Sequence, residues 1–107
     1  MKRQYFVYVI ELDRAVRQIR KFRDANPDMK ALTPCVYVGS STRTPDQRFD
    51  QHKEGYKANR YAKKFGLRLL PDLFAPYNPI PSRADALELE EYLAERLRMM
   101  GYGVWQG

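Results

Sequence analysis

Cysteine and histidine are almost absent from this chain: Cys35 and His52 are the only ones. One cysteine excludes an intramolecular disulfide framework, and one of each excludes a Cys/His zinc cage within a chain. That usage suits a reducing, intracellular setting. No apolar run approaches the roughly 20 residues that span a bilayer, and the N-terminus lacks a signal-peptide hydrophobic region. Internal repeats and low-complexity segments are missing too. A soluble, cytoplasmic protein with no membrane partner is the expectation.

What is present fits one compact domain over residues 1–107. The chain is 44% hydrophobic and 13% aromatic, enough for a core without metal or disulfide staples. Its 19 Lys and Arg exceed its 13 Asp and Glu, giving a formal charge of +6. A basic excess of that size favours polyanions, chiefly nucleic acid.

The run "YFVYVIEL" (5–12) reads as a buried strand, with Phe6, Tyr8 and Ile10 on one face. "DRAVRQIRKFRDANP" (13–27) follows with a helical pattern, Asp13 as candidate N-cap and Pro27 just past the end. Leu12, Ala15, Val16, Ile19 and Phe22 form its apolar arc, and Arg14, Arg17, Arg20 and Lys21 the opposite one. That basic arc is either a solvated face or a nucleic-acid contact. "CVYVG" (35–39) is a second strand.

"TPDQ" (44–47) is a strong helix start: Thr44 caps, Pro45 takes the first helical position and Gln47 completes a capping box. This helix should stop at Gly55. A helical piece spans 57–65, and "LRLLPDLF" (67–74) gives a third strand that ends at Pro71. The proline-rich 71–81 stretch is an irregular loop. Ser82 caps the last helix, which Gly101 closes, and "YGVWQG" is a short edge strand or a docked extension. The order of elements indicates a small α/β sandwich, not a doubly wound fold.

Two helices carry polar groups where core side chains belong. On the last helix, Ala86, Leu89, Leu93, Leu97 and Met100 define the apolar face, and Glu90 falls within it. A carboxylate there is costly unless paired, protonated or bound to a cation. It is a buried ion pair, a carboxylate at the core rim, or a functional group. On the 45–54 helix, Arg48, Phe49 and His52 share the inward side. Arg48 paired with an acid and His52 packed as a satisfied core histidine would explain this without function. Tyr8 and Tyr37 are each ordinary strand residues; the set of five is less ordinary.

In that set the chain resembles the GIY-YIG endonucleases. "FVY" (6–8) and "YVG" (37–39) correspond to the name pair, "RFDQH" (48–52) to the family's Arg-x-x-x-His, and "ADALELEEYL" (84–93) to the glutamate helix, with Glu90 at the metal position. The match runs from Tyr5 to about Met100. It departs at Phe6, where the family name has glycine, and in the 13–26 insertion between the first two strands. The asparagine that often follows the glutamate helix is also missing, and Gln106 is the only side-chain amide in that region.

The resemblance implies a mixed α/β (α+β) fold, with a small three-stranded antiparallel sheet flanked by helices. It implies metal-assisted hydrolysis of DNA phosphodiesters, with Tyr8, Tyr37, Arg48, His52 and Glu90 catalytic. Glu90 would hold one divalent cation, Mg²⁺ or Mn²⁺; one carboxylate suffices for a hard ion that keeps its waters. Arg48 would face the scissile phosphate, Tyr8 would be the general base and Tyr37 would orient water or phosphate. His52 would bond a tyrosine or relay its proton. Arg14, Arg17, Lys21, Lys53, Lys57, Arg60, Lys63 and Lys64 are candidate backbone contacts. Specificity would come from the chain itself, a homodimer or a partner protein. A non-catalytic nucleic-acid-binding or interaction module that retains the fold is the competing reading.

Overall fold

In the computed structural model, which describes residues 3–107, the first apolar run forms β1 (Phe6–Leu12) and the second forms β2 (Cys35–Ser41). They pair antiparallel, with Tyr8 opposite Gly39, Ile10 opposite Tyr37 and Val7 opposite Ser40. Directly opposed residues share a sheet face. Tyr8, Ile10, Tyr37 and Gly39 therefore look one way, and Val7, Val9, Val38 and Ser40 the other. β3 (Gly66–Leu69) lies antiparallel on the free side of β1.

A fourth strand corrects the expected three-stranded antiparallel sheet. β4 (Gly103–Gln106) runs parallel to β2, and the order is β3-β1-β2-β4, so the sheet is mixed. Four residues of tail carry no directional signal of their own. Their direction is set by the long helix before them, which returns the chain to the starting end of β2; parallel neighbours require such a crossover.

Buried Asn26 holds this strand in place. Its amide nitrogen donates to the carbonyls of Phe22 (2.9 Å) and Val104 (3.0 Å). Its oxygen accepts from Val104 N (2.8 Å) and Arg98 Nε (3.2 Å). One side chain thus does for Val104 what an adjacent strand would do.

The inserted segment is not one helix over 13–26. It is a 3₁₀ turn (Arg14–Gln18) and a short α1 (Arg20–Ala25), separated by Ile19 in an extended conformation. Like charges at helical spacings, Arg17 with Arg20 and Lys21, disfavour a continuous helix. Arg23 Nη1 captures the carbonyls at the break, Arg17 O at 3.1 Å and Gln18 O at 2.9 Å. Val16 and Phe22 still reach the core, whereas Ala15 is exposed.

α2 (Pro45–Glu54) has the full Thr44–Gln47 capping box and ends at Gly55, whose φ of 89° is left-handed. α3 (Arg60–Phe65) starts later than the sequence suggests, because the Asn59 side chain caps it. α4 (Arg83–Met99) is capped by Ser82 and buries Ala86, Glu90, Leu93, Ala94 and Leu97. In the loop before it, Asn78 bonds both Val7 N (2.9 Å) and Val7 O (2.8 Å) where β3 no longer reaches β1. Among the described residues, no helix is long and apolar enough to cross a membrane.

Asn26→Ala leaves Val104 N–H buried without a partner and removes the acceptor of Arg98 Nε, whose Nη2 keeps its bond to Val104 O (3.1 Å). Each buried group left unpaired costs about 1–3 kcal/mol, so a loss of about 2–4 kcal/mol is expected. Urea unfolding checks this: the midpoint should fall, and an unchanged midpoint would contradict the role.

Candidate active site

β1, β2 and α2 bring four of the five polar side chains together. Tyr8 and Tyr37 project from the same sheet face, with ring centroids 6.2 Å apart. His52 covers both, at 5.9 Å from Tyr8 and 5.3 Å, edge-on, from Tyr37. Gly39 lies across from Tyr8, and the reason for glycine is close approach. A Cβ there would stand 2.6 Å from Tyr8 Oη and 3.1 Å from Tyr37 Cε2, so any side chain would push the tyrosine pair out of place.

The hydrogen bonds of His52 define its tautomer. Asn59 N–H donates to Nδ1 at 3.1 Å, so Nδ1 carries a lone pair and the ring hydrogen of the neutral form sits on Nε2. Nε2 lies 2.9 Å from Tyr8 Oη. His52 therefore donates to the phenol oxygen. Burial, and next the Arg48 charge, push its pKa down to about 4, so the imidazole is neutral near pH 7. It supplies a directed hydrogen bond, not a positive charge, and its occupied nitrogens leave no site to take up a tyrosine proton.

The positive charge comes from Arg48. No acid pairs with it among the described residues; its Nη1 donates to Tyr56 O (3.1 Å) and Gln51 Oε1 (3.2 Å), and its Nη2 to Lys57 O (2.7 Å). The turn after α2 thus holds the guanidinium in place. Burial raises the pKa of Tyr8 well above the phenol range, Tyr37 adds to this, and Arg48 opposes it. Burial, and then Glu90, raises that of Tyr37, again against Arg48.

Glu90 comes to the sheet end from the other face, and its charge is felt by both phenols. Ser40 Oγ donates to its Oε1 (2.8 Å) and Gln106 Nε2 to its Oε2 (2.9 Å). Ser40 and Gln106 belong to the sheet face opposite the tyrosines, since Gln106 is the partner of Val38. The five residues therefore form two groups, one on each face, at the end of the sheet. Gly107 connects them. It lines the same cavity as Glu90, about 360 Å³, and approaches Tyr37 so closely that a Cβ would lie 1.8 Å from its hydroxyl.

Glu90 is 4% exposed and both its partners are neutral; no cation balances it among the described residues. No cluster of three or more His, Cys, Asp or Glu exists there either. A buried carboxylate with spare lone pairs, opening on a cavity with Ser40, Ser41 and Thr42, fits one hydrated hard cation. It does not fit a multi-ligand metal cage.

The basic residues nominated from sequence are not equivalent. Arg14 donates to Ala31 O, Arg17 to Lys30 O and Thr33 O, and Lys53 to Lys63 O and Gly66 O. These three brace turns. Lys21 lies over the Trp105 ring, Lys57 over Tyr56, Arg60 over Tyr61 and Lys64 over Phe65; Lys63 is exposed. Sequence reasoning missed Ser40, Asn59, Arg3 and Arg83. The two arginines line the Glu90 cavity. Alternation along β2 points Ser40 away from Tyr37 and Gly39, and asparagine before a helix is a readable cap, but nothing local tells that Asn59 N–H meets a histidine.

His52 also makes stability depend on pH. Its pKa is depressed from the usual 6.5 to about 4, so between those values the unfolded chain binds more protons. The stabilisation from neutral His52 is full above pH 6.5 and is lost as pH falls towards 4. Urea midpoints of wild type and His52→Gln, compared across that window, should differ less at low pH. A difference independent of pH would contradict the buried neutral ring.

The profile of the GIY-YIG catalytic domain family matches residues 4–103, nearly the whole chain. No curated protein and no solved structure matches significantly. Tyr8, Tyr37, Gly39, Arg48, His52 and Glu90 all lie within the matched residues, whereas all of β4 after Gly103 lies beyond them. The chain belongs to the GIY-YIG catalytic-domain family, whose members are nucleases.

Proposed function

We propose that this chain is an endonuclease that hydrolyses DNA phosphodiester bonds with Mg²⁺ (or Mn²⁺), acting as one domain over residues 1–107 in the cytoplasm. The observation that carries the proposal is the Tyr8–His52 hydrogen bond in a face that also holds Tyr37 and Arg48. The phenol oxygen accepts from a neutral imidazole beside a guanidinium that has no acid partner among the described residues, a charge left available to a phosphate.

Tyr8 is the general base in its phenolate form. It takes a proton from water as the water oxygen bonds to phosphorus; the bond to the leaving deoxyribose oxygen breaks, and that oxygen leaves as an alkoxide that takes a proton from solvent. Burial opposes that phenolate; Arg48 and the Nε2–H of His52 favour it, as directed charge and dipoles do in a water-poor site. Tyr37 orients the water or the phosphate, and Arg48 turns its remaining N–H towards the phosphate oxygens. Glu90 holds the cation, and Ser40 and Gln106 fix the carboxylate. When bound, the ion supplies Lewis-acid stabilisation of charge on the phosphate and leaving oxygen. Gln106 takes the supporting place that asparagine fills in many relatives.

Arg3 and Arg83 line the cavity in front of Glu90 and are the first candidates for contacts to flanking phosphates. Lys21, Lys57, Arg60, Lys63 and Lys64 can add to them; Arg14, Arg17 and Lys53 are already engaged with carbonyls. Specificity arises from these contacts, from a homodimer or from a partner protein. The upward push on both phenols, with Phe6 in place of glycine, favours one second reading: a nucleic-acid-binding module that keeps the fold without the chemistry. Docking of a partner through Leu12, Ile19 and Phe22 is not favoured, because Leu12 and Phe22 are buried in this chain's own core.

Purified protein incubated with end-labelled single-stranded, duplex and branched DNA tests the proposal. Cutting that needs Mg²⁺, stops with EDTA and falls at least about 100-fold in Glu90→Ala is the expected result. No cutting of any substrate, with salt-sensitive binding retained, would replace the nuclease by the binding module.

A further inference from the structure

The turn that braces Arg48 also carries an aromatic ring out of the fold. Three aromatic side chains are strongly exposed among the described residues: Tyr56, Tyr77 and Tyr92. Of these, Tyr56 is the one whose main chain is bonded to Arg48. Its N–H donates to Gln51 O at 2.8 Å, and its carbonyl accepts from Arg48 Nη1 at 3.1 Å. Loop tips are ordinarily loose, but here both polar main-chain atoms are tied while the ring is 55% exposed.

The next residue shows what the turn is shaped for. Lys57 has a φ of 44°, a left-handed conformation that a β-carbon disfavours. Such strain gathers at ligand clamps and active sites. Here it goes with two successive carbonyls, of Tyr56 and Lys57, converging on one guanidinium. The charge of Arg48 and the ring of Tyr56 are therefore fixed relative to each other through a single residue.

The surroundings identify what the ring would meet. Residues 48–64 carry six basic and two acidic side chains, a net +4 of the chain's +6. The two acids, Asp50 and Glu54, belong to neither ion pair among the described residues, so they lower this charge without forming a bridge across it. The Lys57 ammonium lies over the Tyr56 ring at 5.6 Å, on a flexible stem that can carry it to a phosphate. An exposed π-face, a fixed guanidinium and a movable cation together make a site for an unstacked nucleotide. A base inside a duplex already has a neighbour on each face, so only an unpaired base offers the ring a free one.

We propose that Tyr56 stacks on an unpaired base next to the phosphate held by Arg48, so that the site takes DNA with unpaired nucleotides in preference to intact duplex. This rests on the DNA reading of Arg48 given above and adds a substrate class to it. As the base covers the ring, Lys57 moves from the ring to the adjoining phosphate.

Fluorescence anisotropy of labelled DNA, with the full chain in EDTA, tests this without any cutting. Wild type should bind a duplex with a single-stranded flap at least about fivefold more tightly than the intact duplex, the contribution of one stacked base. Tyr56→Ala should lose that factor and keep the same salt dependence, because the contact removed is not to a phosphate. Tyr56→Trp should keep the preference. Tyr56→Leu should lose it, since leucine is apolar but has no π-face; a bracing role alone would not separate the two. The carbonyl that holds Arg48 is main chain in every variant, and urea midpoints near wild type show that they fold. Equal or no binding of flap and duplex by wild type overturns the proposal. So does a Leu or Ala variant as selective as wild type. Cutting with Mg²⁺ judges the nuclease separately: a protein that discriminates in EDTA yet cuts nothing keeps the Tyr56 site and loses the chemistry.

Discussion

The donation from Asn59 N–H to His52 Nδ1 is the contact on which the rest of the candidate site depends. It commits the other ring nitrogen to carry the hydrogen, and so makes His52 a donor to Tyr8. Several parts of the fold exist to hold this contact. The capping box starts α2 in register, and left-handed Gly55 ends it. Asn59 then places its backbone on the imidazole while its side chain caps α3 through Tyr61 N and Ala62 N.

Burial and charge work against each other around Tyr8. The sheet face is dry enough to raise both phenols, so any anionic state there depends on a few directed groups. Arg48 is one, and its geometry is set by the carbonyls of Tyr56 and Lys57, not by an acid. A carboxylate partner would have cancelled the charge that, in the proposed reaction, a phenolate and a phosphate both need. On the other face the same logic runs in reverse. The partners of Glu90, Ser40 and Gln106, are neutral donors, and no base pairs with its carboxylate among the described residues. The two groups meet only at the sheet end, where Gly107 passes against Tyr37.

Much of this was legible in the sequence. Helix starts and stops at Thr44, Gly55, Ser82 and Gly101 are local chemistry, and the structure has each of them. The inward placement of Arg48, His52 and Glu90 follows from helical period alone. What was not legible depends on distant partners. The direction of β4 is set by α4, and the value of Asn26 lies in Val104, 78 residues away. A count of lysines and arginines cannot tell which of them brace carbonyls, and so Arg14, Arg17 and Lys53 looked free. The division of the five polar residues between two faces needed the strand register, which no single strand carries.

The measurement that bears most directly on this account is the nitrogen NMR spectrum of His52, unambiguous because the chain has one histidine. Near pH 7 the account predicts a neutral ring with Nε2 protonated and Nδ1 bare, unchanged until the pH approaches about 4. A hydrogen on Nδ1, or titration near 6.5, would contradict it: His52 would then not be a fixed donor to Tyr8.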